Sequence, residues 1–77
     1  MTPAEIETLI TEGMPGSTAA VRSDDNTHFE ALVVCAEFAG KRPLQRHQMV
    51  YRVLGDRMAG EIHALSITAL TPEEQGS

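Results

Sequence analysis

Residues 61–67 read Glu61-Ile62-His63-Ala64-Leu65-Ser66-Ile67. Gly60 stands before this run, and the helix-start signal Thr71-Pro72-Glu73-Glu74 follows it. A short apolar, β-branched run bounded in this way reads as a strand. This one carries a histidine at its mouth. Such a histidine is a ligand, an acid/base group or a plain edge residue, and the stretch alone leaves the three open.

Upstream, the period becomes helical. His47, Val50, Leu54 and Met58 share one face with arginines opposite, which predicts a helix from Leu44 to about Met58 with Gly60 as its C-cap. Gly55 is the weak point in that pattern. Residues 39–43 (Ala39-Gly40-Lys41-Arg42-Pro43) form a loop. Before it, His28 to Phe38 is the strongest strand signal in the chain. Leu32, Val34, Ala36 and Phe38 fall on one face of it, and Phe29, Ala31, Val33 and Cys35 on the other. A strand apolar on both faces is central in its sheet. Asp24-Asp25-Asn26-Thr27 is a turn that joins it, as a hairpin, to a weaker strand from Thr18 to Ser23. Thr2-Pro3-Ala4-Glu5 opens a first helix through a capping box, Ile6, Leu9 and Ile10 line its apolar face, and Gly13 ends it. A short helix from Thr71 closes the chain.

The order is α-β-β-α-β-α, an α+β domain covering residues 1–77. A helical crossover makes the second and third strands parallel. The expected sheet is three-stranded and mixed, in the order 1-2-3, with the helices packed on one face.

With 77 residues the chain makes one small domain that buries ~60% of its unfolded surface. The hydrophobic share of 42% supplies one core and argues against disorder. A single cysteine excludes an internal disulfide and fits a cytoplasmic home. Met1 is not followed by a basic and then an apolar region, so no signal peptide is expected, and no apolar run reaches membrane-spanning length. A net charge of −5 disfavours nonspecific nucleic-acid binding. Yet Lys41, Arg42, Arg46, Arg52 and Arg57 are five of the six basic residues, so a local basic face on an acidic protein is expected.

The predicted topology has a consequence for chemistry. His28 opens strand 2 and His63 opens strand 3. If these are parallel neighbours, both imidazoles leave one edge of the sheet from strands ~4.8 Å apart. Two histidines suit iron, zinc or copper but do not complete a metal site, so other ligands must come from elsewhere. Ordinary edge histidines remain the alternative. Cys35 lies ~23 Å along the strand from His28 and reads as a buried structural thiol. His47 is a packed helix histidine, an accessory ligand or a contact residue at a partner surface. Gly13-Met14-Pro15-Gly16 has the GxxG form of a nucleic-acid clamp, but it joins a helix to a strand rather than two helices. No nucleophile–base set, Walker loop or dinucleotide fingerprint is present, so an enzyme is not expected.

Arg46-His47-Gln48-Met49-Val50-Tyr51, Leu54, Ile62-His63-Ala64-Leu65-Ser66-Ile67 and Thr71-Pro72-Glu73 together resemble the BolA family. Thr27-His28-Phe29-Glu30-Ala31-Leu32-Val33-Val34 and Phe38-Ala39-Gly40 extend the likeness to nearly the whole chain. The histidine before strand 2 is similar to the family's histidine-loop subgroup, the IbaG-type and BolA1-like members. The resemblance implies a KH-like fold of class II type with the element order derived above. It implies a heterodimer with a monothiol, CGFS-type glutaredoxin, and the apo chain is expected to be a monomer. That pair would share a [2Fe–2S] cluster, with the glutaredoxin cysteine and glutathione on one side and His63 and His28 on the other. His47 would be accessory, and the isolated chain would carry no cofactor. The family also includes DNA-binding regulators of morphology and stress response. In that alternative Lys41, Arg42, Arg46, Arg52 and Arg57 would contact phosphates.

Overall fold

The computed structural model describes residues 1–60, Ile62 and residues 64–76. Helix α1 (Pro3–Gly13) starts on the expected capping box: the Thr2 hydroxyl accepts the Glu5 N–H, and the Glu5 carboxylate accepts the Thr2 N–H. Strands β1 (Thr18–Arg22) and β2 (His28–Val34) pair antiparallel, with Thr18 opposite Val34 and Arg22 opposite Glu30. Strand β3 (Ala64–Leu70) pairs with β2 in parallel, from His28 opposite Ala64 to Val34 opposite Leu70. The sheet order is β1-β2-β3, as the crossover rule predicts.

One face of the sheet carries the core. Phe29, Ala31 and Val33 of β2 meet Ile6 and Ile10 of α1 and Val50 and Leu54 of α2 (Pro43–Leu54), with Leu65, Ile67 and Ala69 of β3 partly buried against them. The opposite face shows Arg22, Glu30, Ser66 and Thr68 to solvent. The outer edge of β1 is tied to α1 at one point: the Glu7 carboxylate accepts the Val21 N–H at 2.8 Å. That removes a donor an exposed edge would offer to another strand.

Three expectations are corrected. Strand β2 ends at Val34 rather than Phe38, and Ala36–Phe38 is a 3-10 turn. The cause is the length of its neighbours. β1 begins opposite Val34, and the last bond to β3 runs from the Cys35 N–H to the Leu70 carbonyl at 3.0 Å. Beyond that the backbone bonds locally, Phe38 N–H to the Cys35 carbonyl and Ala39 N–H to that of Ala36. Phe38 still reaches full burial, but from the turn.

The second helix breaks at Gly55, whose φ of 58° lies in the left-handed region; a separate short helix α3 (Arg57–Gly60) follows. Met58 therefore does not continue the α2 stripe, and Gly60 ends α3. Strand β3 runs to Leu70, past the Ile67 limit. Ile62 precedes it outside any element and is 1% exposed, while Glu61 and His63 lie outside the described residues.

The terminal helix α4 (Pro72–Gln75) is capped by Thr71. Its Glu74 grips Arg46, and this bond, followed by the Thr71 N–H, lowers the Glu74 carboxyl from 4.5 to about 2. A depressed carboxylate stabilises the fold above its unfolded pKa and loses that contribution as pH falls through the folded one. Urea melts should therefore show Glu74→Gln less stable than the parent at pH 7, the gap closing between pH 4.5 and 2. A gap independent of pH would contradict this.

Candidate functional site

The loop between β1 and β2 is built around Asp25. Its Oδ1 accepts the N–H groups of Thr27 and His28, both at 2.9 Å. Its Oδ2 lies 3.0 Å from His28 Nδ1. Ser23 locks the loop from the other side, donating its hydroxyl to the His28 carbonyl at 2.6 Å and accepting the Asn26 N–H at 2.9 Å. Asn26 takes the left-handed conformation that the turn needs, φ 56°, which asparagine tolerates. The hydrogen bonds from His28 and Thr27 hold the Asp25 carboxyl well below the usual carboxylate range, so it is a carboxylate at neutral pH. The His28 side chain is 66% exposed at the sheet edge.

The parallel register sets what stands beside it. His28 is opposite Ala64, and the Ala64 N–H donates to the Thr27 carbonyl at 3.2 Å. Ala64 follows His63 in the sequence, and buried Ile62 precedes it. His63, the other predicted ligand, lies outside the described residues. An open cleft of about 570 Å³ lies at these strand mouths, its walls including Ser23, Asp25, His28, Ala64 and Ser66. Among the described residues no three His, Cys, Asp or Glu side chains gather into a metal site.

The structure does not bring His47 to His28. His47 is half-buried in the first turns of α2. The neighbouring Arg46 reaches Ala69, five residues along β3 from Ala64, or ~16 Å at strand rise. Cys35 is 2% exposed, beyond the far end of β2, as a buried thiol should be.

The basic residues divide. Lys41, Arg42, Arg52 and Arg57 are exposed, and α2 carries no acidic residue. Arg46 is turned inward, with its side chain 11% exposed. Its guanidinium donates to the carbonyls of Lys41 and Ala69, both at 2.9 Å, and to Glu74 at 2.6 Å, and it sits 5.8 Å from the centre of the Phe38 ring. It is a tie between α2, β3 and α4 rather than a surface cation. Sequence reasoning passed over Asp25. Its signal was an aspartate three residues before a histidine in a turn, the spacing at which an Asx-type loop returns to the ring.

Comparison with known proteins agrees with this fold. The BolA-like protein family model matches residues 7–74. BolA-like protein 1 of Mus musculus is 46% identical over 55 residues, which cover 71% of this chain and 40% of that protein. The DNA-binding transcriptional regulator BolA of Vibrio cholerae is 46% identical over 48 residues, covering 62% of this chain and 45% of that one. These matches thus span less than half the length of either relative. Among solved structures, a bolA protein homologue from Coxiella burnetii superposes with a TM-score of 0.93 at 38% identity, covering 100% of this chain and 99% of that chain. The chain belongs to the BolA family.

Proposed function

We propose that this chain is a partner protein that co-ligates a [2Fe–2S] cluster with a monothiol CGFS glutaredoxin and glutathione, for cluster trafficking, assembly or iron regulation. The observation that carries the reading is the parallel register: His28, held by Asp25, stands opposite the residue that follows His63. The donor chemistry fits. Imidazole is a good iron ligand, and replacing two thiolates by neutral imidazoles raises the potential of a [2Fe–2S] centre. A cluster so held is cargo, not a resident group, and the isolated chain needs none. The apo chain is read as a cytoplasmic monomer.

The test mixes the protein with a CGFS glutaredoxin, iron, sulfide and glutathione and records the visible spectrum. A heterodimer spectrum distinct from that of glutaredoxin alone is expected. His63→Ala should alter it and shorten the life of the cluster. An unchanged spectrum and lifetime would defeat the ligand assignment.

A second reading, a DNA-binding regulator, draws on the acid-free α2 with Lys41, Arg42, Arg52 and Arg57 exposed, and on the description of the Vibrio relative. Arg46 no longer belongs to that surface. Duplex DNA binding that weakens steeply with salt would favour it; no binding at low salt would remove it.

A further inference from the structure

We infer that Asp25 is the positioning residue that sets the tautomer of His28, keeping the ring proton on Nδ1 and so making Nε2 the nitrogen that would coordinate a metal. The inference rests on the cluster-sharing reading for its purpose, but its geometry stands apart from it. An ionised carboxylate accepts hydrogen bonds and cannot donate them. Oδ1 of Asp25 already takes two backbone N–H groups, and Oδ2 faces His28 Nδ1 at 3.0 Å. The contact is a hydrogen bond only if Nδ1 carries the proton. Neutral imidazole has one ring proton, so Nε2 then has none and is the atom able to coordinate. Histidine ligands are commonly fixed in this way, by a carboxylate on the second ring nitrogen.

The same loop says what a one-atom change would do. In Asp25→Asn the amide oxygen is claimed by the Thr27 and His28 N–H groups. The NH₂ then points at Nδ1 and donates. Nδ1 must become the acceptor, and the ring proton moves to Nε2, where it blocks the lone pair. A residue that merely shapes the loop would keep the tautomer unchanged in this isosteric variant.

The experiment uses the apo protein labelled with ¹⁵N-histidine, at a pH where the rings are neutral, and long-range ¹H–¹⁵N correlation spectra. The parent should show His28 in the Nδ1–H form with roughly tenfold excess, the scale of one charge-assisted hydrogen bond. Asp25→Asn should invert the ratio, with the His47 signals unmoved. Asp25→Ala should relax His28 to the Nε2–H preference of free histidine. A parent in the Nε2–H form, or an Asp25→Asn ratio equal to that of the parent, overturns the inference whether or not any variant loses stability. The glutaredoxin mixture supplies the second arm. An inverted tautomer together with loss of the shared-cluster spectrum in Asp25→Asn supports both readings. An inverted tautomer in a protein that forms no shared cluster even as the parent keeps the tautomer assignment and defeats the functional one.

Discussion

Arg46→Met is expected to lower the melting temperature by about 10–20 °C, the equivalent of roughly 2–3 kcal/mol in a domain of this size. The methionine keeps most of the volume over Phe38 but supplies no donor. The Lys41 and Ala69 carbonyls and the Glu74 carboxylate lose the group that joins them. The figure sits below the usual cost of breaking a fully buried pair because Glu74 is 46% exposed and regains water. Arg46→Lys should recover less than half of the loss, since one ammonium cannot span acceptors arranged for a planar fork. Thermal melts followed by circular dichroism decide it. A shift under about 3 °C for Arg46→Met would show that the tie carries little of the stability.

Gly13→Ala should cost about 1–3 kcal/mol, although alanine is the better helix former by ~1 kcal/mol. Gly13 is the last residue of α1 and packs against α2. A methyl placed there would overlap Cγ1 of Val53 and crowd its Cβ and Cγ2. Val53 is β-branched, so it has few rotamers into which to retreat. The helices must therefore separate, and that disturbs Ile10, Val50 and Leu54 in the core between them. Adding Val53→Ala should relieve the overlap, leaving the double variant more stable than the two single losses sum to, by about 1 kcal/mol. Strict additivity in urea titrations would contradict the close approach.

These two residues mark the limits of what the chain spells out. Gly13 reads on paper as the first glycine of a clamp motif. In the fold it gives way to Val53, and Gly16 serves a separate need, a turn at φ 86°. Arg46 reads as one of five surface cations. Its acceptors are 5, 23 and 28 residues away, and no local period announces them.

Where the cause is local, the reading from residues holds. The Thr2–Glu5 capping box forms as expected, and the helix-start signal at Thr71 closes as a second box to Glu74, because each lies within four residues. The parallel pairing of β2 and β3 follows from the helical crossover between them, whereas the register that sets Ala64 beside His28 is visible only in the structure. Where the cause is a neighbour's length, it fails. Nothing within residues 28–38 says that β1 and β3 run out at Val34 and Cys35, so the apolar alternation through Phe38 mimics a longer strand. The helical pattern weakens at Gly55, yet only the positive φ turns that weakness into a stop. In the candidate site, His28 was legible from its place at a strand mouth. Asp25 was not, because its role depends on how the loop of residues 23–27 folds back on the ring.

The central claim is that this chain offers imidazole nitrogen to a cluster it shares with another protein. Pulsed electron paramagnetic resonance on the reduced [2Fe–2S] complex with a CGFS glutaredoxin and glutathione tests it at the iron itself. Strong ¹⁴N couplings from coordinated imidazole are expected, with one set lost in His28→Ala. A reduced cluster without imidazole nitrogen coupling, or with the same couplings in His28→Ala, would contradict it.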